Sequence, residues 1–331
     1  MNAPPAIVVT SIFQPSLALR EIAKGAAATG YQLTVVGDAN SPADFDLQPC
    51  DYHNLARQNK SGLRFAELCP TRHYARKNIG YLLAARAGAP LILETDDDNF
   101  PQPEFWAARK LQSSAAVLRS AGWVNVYRYF TAANIWPRGL PLDAIHQPPP
   151  KLTPSSEDVA CPIQQGLADG NPDVDAIYRI TLPLPQTFRR NINVALGSGS
   201  WCPFNSQNTA WWPEAYPLLY LPAHCSFRVT DIWRSFVAQR IAWENDWHIL
   251  FHGPDVTQER NPHDLLRDFA DEIPGYLQNR AICEALTHLE LQRGADRVPD
   301  NLRTCYHALV RGRWLPDAEL ELLDAWLQDL R

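Results

Sequence analysis

The chain predicts an α/β fold: a three-layer α/β/α arrangement around a mixed, mostly parallel central sheet, followed by a C-terminal helical appendage. Three observations predict it. The first 36 residues alternate an apolar run, an amphipathic segment and a second apolar run. Another apolar run at 91–95 follows another helix-like segment. Past about residue 262 the strand-like runs stop and only helical patterning remains. Alternation of this kind predicts parallel strands, because each crossover helix returns the chain to the same end of the sheet.

Element by element, Ile7 to Ile12 reads as a buried strand, and Ser16 as the N-cap of a helix over about 17–28 that Gly30 closes. Leu33 to Val36 is the second strand, ending at Gly37 and Asp38. Residues 39–70 are rich in Pro, Asp, Asn and Gly and read as a long irregular connection. A helix from Arg72 to Ala87, stopped by Gly88 and Pro90, precedes the strand Leu91 to Thr95. A further helix is expected near 103–119, then an aromatic stretch from Trp123 to Tyr129, then a proline-heavy loop or flap over 137–163. Later come a strand from Trp247 to His252 and four helical segments: His263–Glu272, Tyr276–Gln292, Asp300–Arg311 and Pro316–Gln328. The expected division is a domain over 1–275 and an appendage over 276–331.

Composition bounds the function. With 331 residues, 46% hydrophobic and 20% charged, the chain can build one sizeable core. A net charge of −6 argues against nucleic acid as partner, since duplex binding relies on clustered Lys and Arg. The N-terminal residues carry no signal-peptide pattern, and no apolar window reaches the length of a membrane span. Seven scattered cysteines without a Cys-x-x-Cys fit reduced, buried thiols, and the expected location is cytoplasmic.

Asp-x-Asp occurs at Asp44/Asp46, Asp96/Asp98 and Asp173/Asp175, so the spacing alone selects none of them. The first pair sits in a loop and reads as solvated. The second is aimed by an apolar strand, at the strand end where ligands of open α/β sheets bind. In extended backbone, residues i and i+2 point the same way, so Asp96 and Asp98 can meet one Mg²⁺ or Mn²⁺ that bridges a diphosphate, with Asp97 between them. The alternative is an acidic turn capping a helix. Arg76 and Lys77 open the helix before this strand, with Gly80 one turn on; either a phosphate or a salt bridge explains cations there.

Asp173 and Asp175 follow a Gly/Asn/Pro turn and are candidate donor-binding residues. Asn205, Gln207 and Asn208 belong to a polar run set among tryptophans, which suits sugar binding or a hydrogen-bonded loop. Thr230 or Asp231 reads as a helix cap with Arg234 in the first turn; Asp231, as general base, and Arg234 are also the candidate catalytic residues. His252, at a strand end, or His263 is a candidate to complete the metal site.

Several of these segments, in this order, resemble the STELLO glycosyltransferase-like family: Arg76-Lys-Asn-Ile-Gly-Tyr-Leu82, Glu94-Thr-Asp-Asp-Asp-Asn99, Asn171-Pro-Asp-Val-Asp-Ala-Ile-Tyr-Arg179, Pro203-Phe-Asn-Ser-Gln-Asn-Thr209, Thr230-Asp-Ile-Trp-Arg234 and Gln258-Glu-Arg-Asn261. The resemblance spans roughly residues 70–275. It implies a GT-A-like fold, a nucleoside-diphosphate sugar donor (UDP-linked first), a hydroxyl-bearing glycan or other acceptor, and a metal at Asp96 and Asp98. It further implies Asp231 as base in an inverting transfer, and Thr10, Ser11 and Asp38 around the nucleoside. Plant members carry a membrane anchor that is not seen here, so their Golgi location is not carried over. A non-catalytic binding protein of the same fold, or a nucleotide-sugar mutase or hydrolase, is the competing expectation.

Overall fold

The structure is a computed structural model, and it describes residues 3–152, 155–261 and 263–331. Its strands, in chain order, are β1 (Ala6–Thr10), β2 (Gln32–Val36), β3 (Asp51–His53), β4 (Ile92–Thr95), β5 (Asn99–Pro101), β6 (Gln112–Leu118), β7 (Gly122–Trp123), β8 (Glu157–Ala160), β9 (Ile163–Gly170), β10 (Asn193–Leu196), β11 (Ser200–Trp201), β12 (Asn208–Trp211) and β13 (Ile249–Gln258). Eleven form one mixed sheet in the order β3-β2-β1-β4-β12-β9-β13-β10-β6-β8, with β5 added to the far end of β13; β7 and β11 pair separately. The first four strands run parallel, and β12 then enters antiparallel between β4 and β9. The α/β architecture with a mixed sheet and C-terminal helices is the expected one.

Local chemistry explains the opening unit. β1 is buried on both faces between two parallel neighbours, and so it reads as a continuous apolar run. Ser16 caps the helix Leu17–Thr29 through the Leu19 amide, and Gly30 ends it at φ 78°, where its own amide bonds Ala26.

Several expectations are corrected. The helix expected near 103–119 is a short 3₁₀ turn, Pro103–Trp106, followed by β6. The alanines of β6 favour a helix locally, but parallel pairing with β10 and antiparallel pairing with β8 decide the outcome. The connection over 39–70 contains β3 and two five-residue helices. The α-helix after it starts at Lys77 rather than Arg72, since Arg72 has φ 58° and Tyr74–Arg76 form a 3₁₀ turn. The proline-heavy 137–163 segment carries β8 and the first residue of β9, while its residues 153 and 154 lie outside the described residues.

β13 extends beyond His252 to Gln258, and its register against β9 shifts between His252 and Val256. The segments expected at 263–272 and 276–292 form one helix, Leu265–Thr287, which runs through Pro274. The expected boundary at 275/276 therefore falls inside a helix. Residues from both sides of it, Phe65, Trp211 and Phe236 with Leu302, Leu309 and Trp326, share one hydrophobic core.

Candidate active site

A cleft of about 450 Å³ opens where β1, β2 and β4 end at their carboxyl edge. Sheet register brings in the rest of its lining. Pairing of Asn208 with Thr95 sets Ser206 and Gln207 beside Asp96. Pairing of Gly170 with Gln258, and of Gln258 with Asn99, sends the chain after β9 and the chain after β13 past the same aspartate turn.

The aspartate turn is held from three directions. Asp96 accepts hydrogen bonds from Tyr74 Oη (3.0 Å) and Lys77 Nζ (3.3 Å), and Lys77 also donates to the carbonyls of Thr95 (2.8 Å) and Ser206 (3.1 Å). Asp97 accepts from Ser11 Oγ at 2.6 Å, and its carbonyl accepts from Ser16 Oγ. Asp98 accepts from Gln258 Nε2 (3.0 Å) and the Asn261 amide (3.3 Å). Burial, opposed by Lys77 and helped by repulsion from Asp98, pushes the Asp96 carboxyl up to about 7. Burial first, then the Asp98 charge, raises Asp97 to about 6.

Three carboxylates therefore share a partly dry turn with one ammonium, an arrangement that a divalent cation relieves. Among the described residues no three His, Cys, Asp or Glu side chains form a ready-made metal cage. The donor set thus fits a hard cation that takes a carboxylate or two from the chain and its other ligands from phosphate and water.

Arg138, in the same cleft lining, forks between Asp173 (Nε 2.8 Å, Nη2 2.8 Å) and Asp231 (Nη1 3.1 Å, Nη2 2.9 Å), and its Nη1 also bonds the Arg228 carbonyl. Asp231 accepts as well from the amide and hydroxyl of Ser206, each at 3.2 Å. Burial alone would raise the Asp231 carboxyl, but the charge and hydrogen bonds of Arg138 outweigh it and hold it below the ordinary range. Neither Thr230 nor Asp231 caps the helix Thr230–Glu244; Val229 occupies that position without a side-chain bond.

Of the residues expected in the site, Thr10, Ser11, Asp38, Arg76, Asp96, Asp97, Asp98, Asp173, Gln207 and Asp231 line the cleft. Asp38 accepts from the His73 amide at 2.9 Å, and Arg76 is held by Gln58 and the Cys69 carbonyl. Lys77 does not line the cleft itself and meets it through Tyr74, Asp96 and Ser206. The others do not line it. Gly80 packs against β1 and β2, where a Cβ would meet Val8 at 2.5 Å. Asp175 caps the helix Ala176–Thr181 and accepts from Trp136. Asn205 Oδ1 accepts from the Gln207 amide, and Asn208 bonds Asp255.

Arg234 is locked in two bonds to Glu94 beneath the cleft (2.9 and 2.8 Å), beside Trp211, whose indole also donates to Glu94. His252 does not line the cleft; its Nδ1 meets the Gly253 carbonyl and its ring lies near Gly166. His263 does line it, and its ring meets Asp268. The sequence does not mark Arg138, Tyr74 or Arg228 as cleft residues, and Arg179 and Arg260 lie in the family-like segments without a role of their own. Arg138 sits in a proline-rich stretch, and its acidic partners are 35 and 93 residues away, so no local signal marks it.

Comparisons agree with the family read from the motifs. A family model described as STELLO glycosyltransferases matches residues 228–331. Two Arabidopsis thaliana proteins, probable glycosyltransferases STELLO2 and STELLO1, are each 25% identical over 98% of this chain and 44% of their own length. The chain spans less than half of these curated relatives. A solved mycobacterial protein aligns over 96% of this chain and 76% of its own, with a TM-score of 0.40 and 11% identity. The chain is STELLO-like, and the family it resembles is one of glycosyltransferases. No helix among the described residues is long and apolar enough to cross a membrane.

Proposed function

We propose that the cleft binds a nucleoside-diphosphate sugar, UDP-linked in the first instance, and transfers the glycosyl group to an acceptor hydroxyl with inversion. The observation that carries this reading is that the Asp96–Asp98 turn at the end of β4 and Asp231 line one cleft. Thr10, Ser11 and Asp38, at the adjoining strand ends in the cleft lining, would hold the nucleoside. Asp96 and Asp98 would hold Mn²⁺ or Mg²⁺, whose chemistry is to neutralise charge on the departing diphosphate.

The chain's own groups act around that step. Arg138 and Ser206 fix the Asp231 carboxylate, kept ionised, toward the cleft. As the acceptor oxygen bonds the anomeric carbon and the bond to the diphosphate breaks, the hydroxyl proton passes to Asp231. A base of low proton affinity suits a late transfer, because the attacking hydroxyl becomes acidic only once its new bond has formed.

A binding protein of the same fold is the second reading. One observation favours it: both Asp231 oxygens are already engaged by Arg138 and Ser206. The test is calorimetric titration of UDP with Mn²⁺, followed by product analysis across a panel of nucleotide sugars. Asp98→Asn is expected to weaken Mn²⁺-dependent UDP binding by at least about tenfold, a loss of about 1.4 kcal/mol. Unchanged binding would remove the metal assignment. Asp231→Asn is expected to keep UDP binding and abolish turnover. Equal turnover in both proteins would leave Asp231 a positioning residue, and no turnover in the wild type would favour the binding protein.

A further inference from the structure

We propose that the cleft wall built from Arg179, Arg228 and Arg260 is a second anion subsite, which grips a phosphate or carboxylate carried by the acceptor. The proposal rests on the donor reading above, because it takes the donor diphosphate to lie at the Asp96–Asp98 turn.

All three guanidiniums line the cleft, whereas the carboxylates that orient two of them do not. Arg228 donates to Glu272 from Nε at 3.0 Å and also from Nη2, and Arg260 Nη2 donates to Asp268 at 2.8 Å. Asp268 and Glu272 both sit on the helix Leu265–Thr287 behind this wall. The carboxylates that offset Arg228 and Arg260 thus lie outside the cleft lining, while the arginines belong to it.

Arg179 has no carboxylate partner among the described residues. It donates only to neutral oxygens: Pro172 O at 2.9 Å, and Val174 O and Asn171 Oδ1 at 3.3 Å each. Arg260 Nε is buried without a hydrogen-bond partner among the described residues. Arg138 is not part of this wall's free capacity, since Asp173 and Asp231 saturate it.

Like charges gathered in a half-dry wall repel one another and lose hydration, a cost that an anion in front of them offsets. Burial, then the Arg260 charge, lowers Arg179 to about 9, and burial followed by Arg228 lowers Arg260, although Asp173 acts against both shifts. Guanidiniums offer the planar fork that matches phosphate and carboxylate.

The test uses the whole chain at low salt, with inorganic phosphate and UDP·Mn²⁺ as separate calorimetric probes. The expected results are that phosphate binds the wild type with and without saturating UDP·Mn²⁺, and that Arg179→Gln and Arg260→Gln weaken phosphate by about tenfold or more. UDP·Mn²⁺ affinity is expected to stay within about threefold in both variants. Arg179→Lys, which keeps charge but loses the fork, should restore part of the phosphate affinity and controls for a variant that folds poorly. Equal loss of UDP·Mn²⁺ and phosphate binding would assign the arginines to the donor diphosphate and overturn the proposal. So would a wild type that binds no phosphate, or phosphate that competes with UDP·Mn²⁺. If wild type fails to bind UDP·Mn²⁺ yet binds phosphate through Arg179, the donor reading falls while the anion subsite stands.

Discussion

A guanidinium with 1% of its side chain exposed needs fixed acceptors, and Arg234 finds both in Glu94. Tyr81 and Trp211 complete the hydrogen bonding of that carboxylate, which is itself fully buried. Removing one member strands the other as an unpaired charge, at about 3–5 kcal/mol. Glu94→Gln is therefore expected to lower unfolding stability by about 3 kcal/mol in urea titration, although Glu94 touches nothing in the cleft. Asp268 offers a pH readout. Burial would raise its carboxyl, but the His263 hydrogen bond and the charges of Arg228 and Arg260 bring it down from 3.8 to about 2. The stabilisation is complete above the unfolded value near 3.8 and disappears as pH falls through about 2. Thermal melts between pH 4 and 2 should lose this increment in the wild type and not in Asp268→Asn. The sequence makes the aspartate turn legible because a strand aims it. It misplaces Arg234, because helical spacing from Asp231 does not tell which face meets the cleft and which meets Glu94.

Helices and strands set how near these side chains come. The helix Lys77–Arg86 lies so close on β1 and β2 that Gly80 has no room for a methyl group. Gly80→Ala would push into Val8 and Val36, and overpacking of this kind costs about 1–3 kcal/mol. The expected outcome is a lower melting temperature with UDP·Mn²⁺ affinity unchanged in calorimetry. A selective loss of nucleotide binding would return Gly80 to the phosphate role that its sequence neighbours suggest. The opening βαβ unit was legible because capping and apolar runs act locally. β6 was not, since its partners β8 and β10 lie about 45 and 80 residues further along, and pairing between distant segments overrides local preference. The division of the helix Leu265–Thr287 at Pro274 failed for a related reason. Glu272 and Asn279 anchor it on both sides of the proline, through Arg228 and through Trp233 and the Gly139 carbonyl.

At the scale of the molecule, the C-terminal helices are bolted to the sheet domain. Glu319 is fully buried and accepts from Tyr220, the amides of Ala223 and His224, and the His224 ring. Asp329 accepts from the Phe65 amide at 2.7 Å and from Arg86 at 3.0 Å. Deletion of 276–331 is therefore expected to give a chain without sharp near-ultraviolet circular dichroism; a folded, UDP-binding truncation would contradict this. Strand order was the part least open to sequence reading, because β13 enters between β9 and β10, well inside the sheet rather than at its edge. That position has a consequence during synthesis. The ribosome makes β9 and β10 before β13, and the flanks of β9 and β10 facing each other stay unpaired until residues 249–258 emerge. A nascent chain halted before residue 249 thus displays two open strand edges, the surfaces on which strands of other chains add most readily. Elongation past β13 closes both at once, and the turn of Asp96–Asp98 gains Gln258 and Asn261 in the same event.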